Sequence, residues 1–293
     1  MFRYGNQQEH FRIGGIEFGG QPGERRTVLV ASLFYPGHGA VRDRAAGKVD
    51  LERVTQAMDR IHQAGEETGT PIALALYAET PEAIGSYLDG VVDLTSLPLM
   101  IDSSSAAVRI AGVERAAEMG VTDRVIYNSL SAGTSEEEFE AIERSGLEAA
   151  IVLAFYPGNT DLKGKIYLLE DGAGVADKGL IDMARDRGIS KPLLDMAVMS
   201  LEQNAGSALR AMVVAKAKWG LPTGCSLHNA VESWEGLRAE DRELYRQLES
   251  SSTSIAITAG ADFVFCGPVE RARREMWISR FADRLMEQAL PVD

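Results

Sequence analysis

Three short apolar runs in this sequence end on an acid or an amide, and a fourth leads into a polar cluster. The three end residues are Asp102, Asn128 and Asp195, and the fourth run is 221–226. Each run is typical of a buried parallel strand, which places each polar residue at a carboxyl end. In an α/β barrel that end carries the chemistry. Acids and amides that converge there would suit a flat heterocycle with several hydrogen-bonding groups.

The local sequence around each candidate allows a structural alternative. Asp102 precedes a helical pattern and could be a helix N-cap, a position that favours Asp. Asn128 is less suited to capping, because the next helix is predicted only near Thr134. Asp195 lies between apolar residues and is followed by Met196, so its carboxylate needs a partner from elsewhere in the fold. Asp195 is therefore the strongest of the three by local context.

The fourth run is followed by three polar side chains, Ser226, His228 and Asn229. Asn229 could cap a short helix, and a lone His is more often structural than catalytic. None of the four histidines has a ligand spacing such as HExxH, so we predict no metal site. Cys225 and Cys266 fall at the ends of neighbouring predicted strands. Two small buried thiols are favoured over a redox pair.

The elements that position these residues alternate strand and helix eight times, which predicts a (β/α)8 TIM barrel. The predicted strands are 27–34, 72–77, 97–101, 124–128, 148–155, 192–195, 222–226 and 262–265. The predicted helices are 50–67, 81–90, 104–119, 135–145, 176–188, 199–219, 240–259 and 268–289. A doubly wound open sheet is the alternative, but the turn after the first strand, 33–37, is not the GxGxxG expected there.

The remaining segments fit one domain over residues 1–293. Residues 11–19, within an N-terminal segment 1–26, alternate apolar and polar around a Gly-Gly pair, which predicts a β-hairpin that closes the bottom of the barrel. The two longest irregular stretches are 35–49 and 156–174. Both follow strands, where long loops are usually functional.

Composition narrows the classes of partner. The formal net charge of −13 disfavours nonspecific binding to nucleic acid or to anionic membranes. No apolar stretch approaches the roughly 20 residues of a transmembrane helix, and the N-terminus has no apolar signal-peptide core. We therefore expect a cytoplasmic protein without a membrane span and without a disulfide framework.

Two ligand classes fit the strand ends. A pterin presents an edge of 2-amino, N3–H and 4-oxo groups that carboxylates and amides can pair with. Aromatic residues at strand ends could form the wall for such a ring: Phe34, Tyr35, Tyr77, Phe155 and Tyr156. One alternative is a phosphosugar lyase or isomerase, because Gly224 and Gly267-Pro268 match the usual phosphate position of barrels. More broadly, the alternative is another pterin or phosphosugar barrel enzyme, such as a synthase or lyase. No strand end carries a Lys for a Schiff base, which counts against a lyase.

The chain resembles the family of the H subunit of tetrahydromethanopterin S-methyltransferase and its soluble bacterial relatives. The similarity runs through most of the chain. The chain is also similar to the wider group of pterin-binding barrels, which includes methyltetrahydrofolate:corrinoid methyltransferases and dihydropteroate synthases. The matching segments are 19–24 (GGQPGE), 100–103 (MIDS), 123–129 (DRVIYNS), 149–155 (AAIVLAF), 191–195 (KPLLD), 220–225 (GLPTGC) and 228–231 (HNAV).

The resemblance implies that Asp102, Asn128 and Asp195 hold the pterin ring, with Ser129 and Phe155 as further contacts. It also implies an Asn or Ser near N5, the nitrogen that carries the methyl group. Both Ser226 and Asn229 qualify, so that position stays open.

The implied reaction moves a methyl group between a corrinoid (cobalamin) on a partner protein and a tetrahydropterin. Tetrahydrofolate is the first expectation, and tetrahydromethanopterin is the alternative. The family also implies a homodimer. A non-catalytic subunit that only docks a corrinoid protein is the third hypothesis.

Overall fold

The computed structural model describes residues 3–237 and 241–290. Eight parallel strands close into a barrel in the order β10-β11-β12-β3-β6-β7-β8-β9, and two small antiparallel pairs, β1-β2 and β4-β5, lie outside it. The strands are β1 (His10–Ile13), β2 (Ile16–Gly19), β3 (Val28–Leu33), β4 (Val41–Asp43), β5 (Lys48–Val49), β6 (Ile72–Tyr77), β7 (Leu99–Asp102), β8 (Val125–Leu130), β9 (Ala149–Leu153), β10 (Lys191–Asp195), β11 (Thr223–Cys225) and β12 (Phe263–Pro268). The predicted TIM barrel and its eight strands are confirmed.

Helices cover the outside of the barrel. They are α1 (Leu51–Thr68), α2 (Pro81–Val91), α3 (Ala106–Glu118), α4 (Glu136–Ser145), α5 (Leu162–Asp171), α6 (Leu180–Asp186), α7 (Ser207–Trp219), α8 (His228–Glu232), α9 (Arg242–Thr258) and α10 (Ala272–Gln288). Local chemistry sets several of their starts. Thr80 caps α2 with Pro81 in its first turn, and Ser135 and Glu138 form a capping box on α4.

Apolar side chains fill the inside of the barrel. The inner cluster consists of Val28, Val30, Ala73, Ala75, Met100, Ile126, Ala149, Ile151, Leu193 and Phe263, with Ile13 and Phe18 from the N-terminal hairpin. Ile13 and Phe18 are fully buried, and the ring of Phe18 meets that of Phe263 edge-on with centroids 6.5 Å apart. The hairpin therefore closes one end of the barrel as predicted, and the carboxyl ends of the strands lie at the opposite end.

Several of the segment predictions were wrong in type or in extent. The stretch 156–174 is not irregular, because it contains α5, which begins at Leu162. Its N-cap is Asp161, whose side chain accepts hydrogen bonds from the backbone N–H groups of Lys163 and Gly164. The pattern 199–219 is helical only from Ser207, and a short 3₁₀ turn (Leu201–Gln203) precedes it. The pattern 268–289 begins with another 3₁₀ turn (Val269–Arg271). The predicted start at residue 240 lies outside the described residues.

The loop 35–49 also has structure of its own. It contains the short pair β4-β5, and Ala45 O in this loop accepts a hydrogen bond of 2.5 Å from the Thr80 hydroxyl at the start of α2. Within residues 3–237 and 241–290, the helices are all too short or too polar to cross a membrane.

Replacing Phe18 with Ala should lower the free energy of unfolding by about 3–5 kcal/mol, because it removes a fully buried ring from the bottom of the barrel. Urea denaturation measures the change. The matched control is Phe281→Ala on α10, where the side chain is 66% exposed, and its effect should stay within about 0.5 kcal/mol. Equal effects of the two substitutions would show that the hairpin does not pack into the barrel.

Candidate functional site

The open end of the barrel is formed by the inward positions directly above the packed interior. Successive residues of a strand point to opposite faces, so Asp102 shares the inner face with Met100, and Asp195 shares it with Leu193. Strand register places Asp102 opposite Asn128. Other residues at this level are half-buried, unlike the buried layer below them: Ser32, Tyr77, Leu153, Ser226 and Phe265. The structure therefore brings Asp102, Asn128 and Asp195 to one partly open layer, the mouth of the barrel.

Asp102 and Asn128 form a hydrogen-bonded pair on neighbouring strands. The Asn128 amide Nδ2 donates to Asp102 Oδ1 over 3.1 Å. Asp102 is the last residue of β7 and is not a helix cap, because α3 has Ser105 at its N-cap. The N-cap alternative for Asp102 is therefore wrong. The pair leaves the second carboxylate oxygen, the amide oxygen and one amide hydrogen of the two side chains for a ligand.

Asp195 receives its partner from the loop that follows it. Its Oδ1 accepts from the backbone N–H of Ala197 over 3.0 Å, and Ala197 has a positive φ of 29°. The carbonyl oxygen of the same Ala197 accepts from Lys165 Nζ over 2.7 Å, and Lys165 is fully buried on α5. Lys165 therefore anchors the peptide that holds Asp195.

Burial raises the pKa of both carboxyl groups to about 6. For Asp102 the charge of Arg109 and the hydrogen bond from Asn128 oppose this rise in pKa. For Asp195 the Ala197 N–H and the charge of Lys165 oppose it. Both groups are mostly ionised at neutral pH, yet neither has enough partners to bring its pKa back to the ordinary value. A ligand that donates N–H groups would stabilise both charges.

A buried ionic network behind Asp102 and Asn128 fixes the ends of β7 and β8. Arg109 Nη1 donates to the carbonyl of Ser103 over 2.6 Å, directly after Asp102. Its Nε donates to the Tyr127 hydroxyl over 3.0 Å, directly before Asn128. Arg109 also pairs with Glu138 at 2.5 Å, and the Tyr127 hydroxyl donates to the same carboxylate. Glu138 is in turn the capping-box residue of α4, so two helices and two strands are tied together behind the site.

Sequence reasoning missed Arg109, Glu138 and Lys165. Each had a signal. Arg109 interrupts an apolar helical stretch, and Glu138 occupies the third position after a Ser cap. Lys165 lies on the same helical face as Leu162, Ile166 and Leu169, where an apolar residue is expected. A charged residue on a core-facing stripe indicates a buried polar partner.

The other predicted site residues lie around the mouth. Ser129 is half-buried in β8, and the peptide bond that joins it to Asn128 is cis. Phe155 is half-buried just after β9. Ser226 follows β11 directly and is half-buried, whereas Asn229 is exposed in the first turn of α8. The two candidates for the N5 contact thus differ in depth, with Ser226 closer to the strand end.

One of the predicted aromatic wall residues points elsewhere. Phe34 is fully buried outside the barrel and stacks on Tyr87 with centroids 4.1 Å apart, so the expectation of a ligand contact was wrong. Its positive φ of 62° turns the chain away from the mouth. Tyr77 stays at the mouth, with the Arg44 guanidinium 5.9 Å from its ring centroid.

Both cysteines are buried free thiols, and burial raises the pKa of Cys225 to about 12. The Nδ1–H of His228 donates to the carbonyl oxygen of Phe265 over 2.9 Å. Among the described residues, no group of three or more His, Cys, Asp and Glu side chains could hold a metal ion.

Comparison with known proteins identifies the family. The family model described as "Tetrahydromethanopterin S-methyltransferase MtrH subunit" matches residues 6–290. The chain belongs to the MtrH family. The H subunit of tetrahydromethanopterin S-methyltransferase from Methanothermobacter marburgensis is 42% identical over 292 residues, covering 99% of this chain and 94% of that protein. The H subunit of a putative methyltransferase, mtx, from Methanosarcina barkeri is 35% identical over 293 residues, with the same shares covered.

The solved structures similar to this MtrH-family chain include dihydropteroate synthases. The enzyme from Yersinia pestis, bound to a pterine-sulfa conjugate, aligns with a TM-score of 0.63 at 14% identity, over 95% of this chain and all of that one. The 7,8-dihydropteroate synthase from Vibrio fischeri aligns with a TM-score of 0.64 at 15% identity, over 97% of this chain and all of that one. At this level of identity the similarity shows the shared barrel fold and no more.

Replacing Asp102 with Asn should raise the free energy of unfolding at about pH 8 by on the order of 1 kcal/mol, because it removes a buried charge. Because the pKa of Asp102 is higher in the folded than in the unfolded protein, ionisation of this carboxyl group destabilises the fold. The substitution therefore stabilises the protein only at a pH where Asp102 is ionised. The gain should therefore shrink as the pH falls through about 6 and vanish near about pH 4.

Urea denaturation at both pH values measures this difference. The control is Asp59→Asn, which removes an exposed charge from α1. A gain from Asp102→Asn that is the same at both pH values, or that Asp59→Asn reproduces, would contradict the account.

Proposed function

We propose that this chain catalyses methyl transfer between a corrinoid on a separate protein and N5 of a tetrahydropterin bound in the barrel mouth. The observation that carries the proposal is the layer of Asp102, Asn128 and Asp195 at the open end. These groups offer two carboxylates that lack enough donors and one amide with a free hydrogen. Membership of a methyltransferase family supports the reaction class.

The hydrogen-bonding pattern of a pterin edge complements this layer. The 2-amino group and N3–H of the ring are donors, and the 4-oxo group is an acceptor. The carboxylates of Asp102 and Asp195 would accept from the donors, and the free amide hydrogen of Asn128 would donate to an oxygen. Tyr77, Phe155 and Phe265 are partly exposed at the same level and could cover the ring faces.

The residues of this chain would orient the ring and hydrogen-bond N5, the nitrogen that loses a proton in the reaction. In the direction that methylates the pterin, the N5 lone pair forms the new N–C bond. The electron pair of the broken cobalt–carbon bond stays on the carrier. The N5 proton then leaves to water, so that atoms and charge balance. Ser226, at the end of β11, and Asn229, in α8, are the candidates to hydrogen-bond N5.

The relatives' names favour tetrahydromethanopterin over tetrahydrofolate as the pterin, since several are named as the H subunit of tetrahydromethanopterin S-methyltransferase. We therefore propose tetrahydromethanopterin, the alternative from the sequence, as the first substrate to test, with tetrahydrofolate beside it. The corrinoid protein and the homodimer remain predictions from the family resemblance.

The rival phosphosugar lyase gains no support from the buried lysine. Lys165 is fully buried and its Nζ is held by the carbonyl of Ala197, whereas a Schiff base needs an accessible free amine. The third hypothesis, a non-catalytic docking protein, does not explain why two carboxylates are buried at an open barrel mouth at the cost of desolvation.

The direct test mixes the purified protein with a methylated corrinoid and either pterin, and follows the absorbance of cobalt together with the formation of N5-methylpterin. Free methylcobalamin and a charged corrinoid protein are both offered as methyl donors. Asn128→Ala and Asp195→Ala should each weaken pterin binding by about 1–3 kcal/mol, whereas Gln63→Ala, an exposed amide on α1, should not.

Ser226→Ala and Asn229→Ala separate ring binding from transfer, because the residue at N5 should affect the rate more than the affinity. If neither pterin is methylated with either donor, the proposed reaction is wrong. If methylation occurs but Asn128→Ala and Asp195→Ala bind pterin normally, the reaction stands and the assigned site is wrong.

The role of Lys165 as a positioning residue predicts a shift in pH dependence. The charge of Lys165 lowers the pKa of Asp195, so Lys165→Met should raise that pKa further. Pterin affinity, which needs the ionised carboxylate, should then be lost at a higher pH than in the unmodified protein. Calorimetric titrations across about pH 5–8 measure the midpoint. Lys163→Met, exposed on the same helix, should leave the midpoint unchanged. A uniform loss of affinity with no shift would indicate a purely structural role.

A further inference from the structure

A cleft rich in arginine lies at the rim of the barrel, outside the mouth. It measures about 670 Å³ and is lined by Arg242, Arg246, Arg271 and Arg274, with Tyr245 and Glu270. Arg242, Tyr245 and Arg246 come from the first turns of α9. Glu270, Arg271 and Arg274 follow β12. We call this site the arginine cleft.

Two of the four arginines have no ion-pair partner among the described residues. Arg271 pairs with Glu249, and Arg274 pairs with Glu275 at 2.9 Å. Arg242 and Arg246 are exposed, and neither forms an ion pair or a side-chain hydrogen bond with any residue that the structure describes. In a chain with a formal net charge of −13, two unpaired cations at one cleft mark a local site for an anion.

Among the described residues, the acid that lines the cleft is Glu270, and it has partners of its own. The Tyr35 hydroxyl donates to Glu270 Oε2 over 2.9 Å, and His38 Nε2 lies 3.5 Å from Glu270 Oε1. Within the part of the chain that the structure describes, the polar contacts of Glu270 are therefore with Tyr35 and His38 and not with Arg242 or Arg246. The two free guanidinium groups stay available, and each can bind a carboxylate or a phosphate through two parallel hydrogen bonds.

The position of the arginine cleft relative to the mouth suggests its ligand. Helices of a β/α barrel run antiparallel to the strands, so the first turns of α9 and the residues after β12 lie at the same end as the mouth. The proposed ring contacts come from β7, β8 and β10, whereas β12 belongs to the opposite arc, between β11 and β3. A pterin carries its side chain on C6, at the end of the ring away from the 2-amino-4-oxo edge. With that edge on β7, β8 and β10, the side chain would extend towards β12.

We propose that the arginine cleft binds the anionic end of the pterin side chain, an inference that rests on the proposed function of the mouth. Tetrahydrofolate ends in glutamate carboxylates, and tetrahydromethanopterin carries a phosphate and carboxylates. Both share a flexible side chain with negative charge at its far end. Arg242 and Arg246 would thus select a pterin with a charged side chain, while Asp102, Asn128 and Asp195 select the ring.

The test compares pterins with and without a charged side chain. Calorimetry measures the Kd of tetrahydromethanopterin, of tetrahydrofolate and of 6-methyltetrahydropterin, which has the ring alone. In the double variant Arg242→Ala/Arg246→Ala, the Kd of the charged pterin should rise about tenfold or more at low salt. The Kd of 6-methyltetrahydropterin should not change. The difference for charged pterins should shrink as salt is added, because exposed charges are screened.

The matched control is Arg3→Ala/Arg12→Ala, which removes two exposed arginines from the N-terminal segment. It should leave all three Kd values unchanged. If the cleft variant binds charged pterins normally, or loses affinity for 6-methyltetrahydropterin by the same factor, the inference is overturned. If the unmodified protein binds 6-methyltetrahydropterin and Asn128→Ala does not, the ring site stands whatever the cleft does. If the unmodified protein binds no pterin, the proposed function itself fails.

Discussion

The burial of two carboxylates at the barrel mouth is the constraint on which the rest of the site depends. An ion removed from water is costly unless hydrogen bonds and opposite charges replace the solvent. For these two carboxylates the protein replaces the solvent only in part. Asp102 has Asn128 and the nearby charge of Arg109, and Asp195 has the Ala197 N–H and the nearby charge of Lys165. The second oxygen of each carboxylate has no hydrogen-bond partner among the described residues, and a ligand with N–H donors would supply one.

Different parts of the barrel stabilise the fold and carry the candidate site. The N-terminal hairpin and the apolar interior close the bottom of the barrel, and the polar strand ends lie at the opposite end. Behind the mouth, the network of Arg109, Tyr127 and Glu138 ties β7 and β8 to α3 and α4. This rigid support keeps the two polar strand ends in register, which oriented binding of a planar ring requires.

Much of the fold and of the candidate site could be predicted from the sequence. Each apolar run that is followed by an acid or an amide predicts a buried strand and the polar residue at its carboxyl end. The common layer of Asp102 and Asn128 follows from that pattern. The barrel follows from the eight alternations of strand and helix, and the closing hairpin from the alternating residues around a Gly-Gly pair. The path of Phe34 and the helix α5 could not be predicted. A positive φ reverses the direction of Phe34, and Gly164 and Lys165 interrupt the apolar periodicity of α5. The partner of Asp195, the backbone N–H of Ala197, could not be predicted either. Its position depends on Lys165, which is far from Ala197 in sequence and donates to the Ala197 carbonyl.

The central claim is that a pterin completes the hydrogen bonding of two under-satisfied carboxylates. Carbon-13 NMR of labelled aspartate, titrated with and without a reduced pterin, tests this claim most directly, with Asp102→Asn and Asp195→Asn used for assignment. The account predicts that both carboxyl groups titrate with a pKa of about 6 in the free protein and that pterin binding lowers both values. Carboxyl groups that titrate with the ordinary pKa of aspartate, or a pKa that does not move when pterin binds, would contradict it.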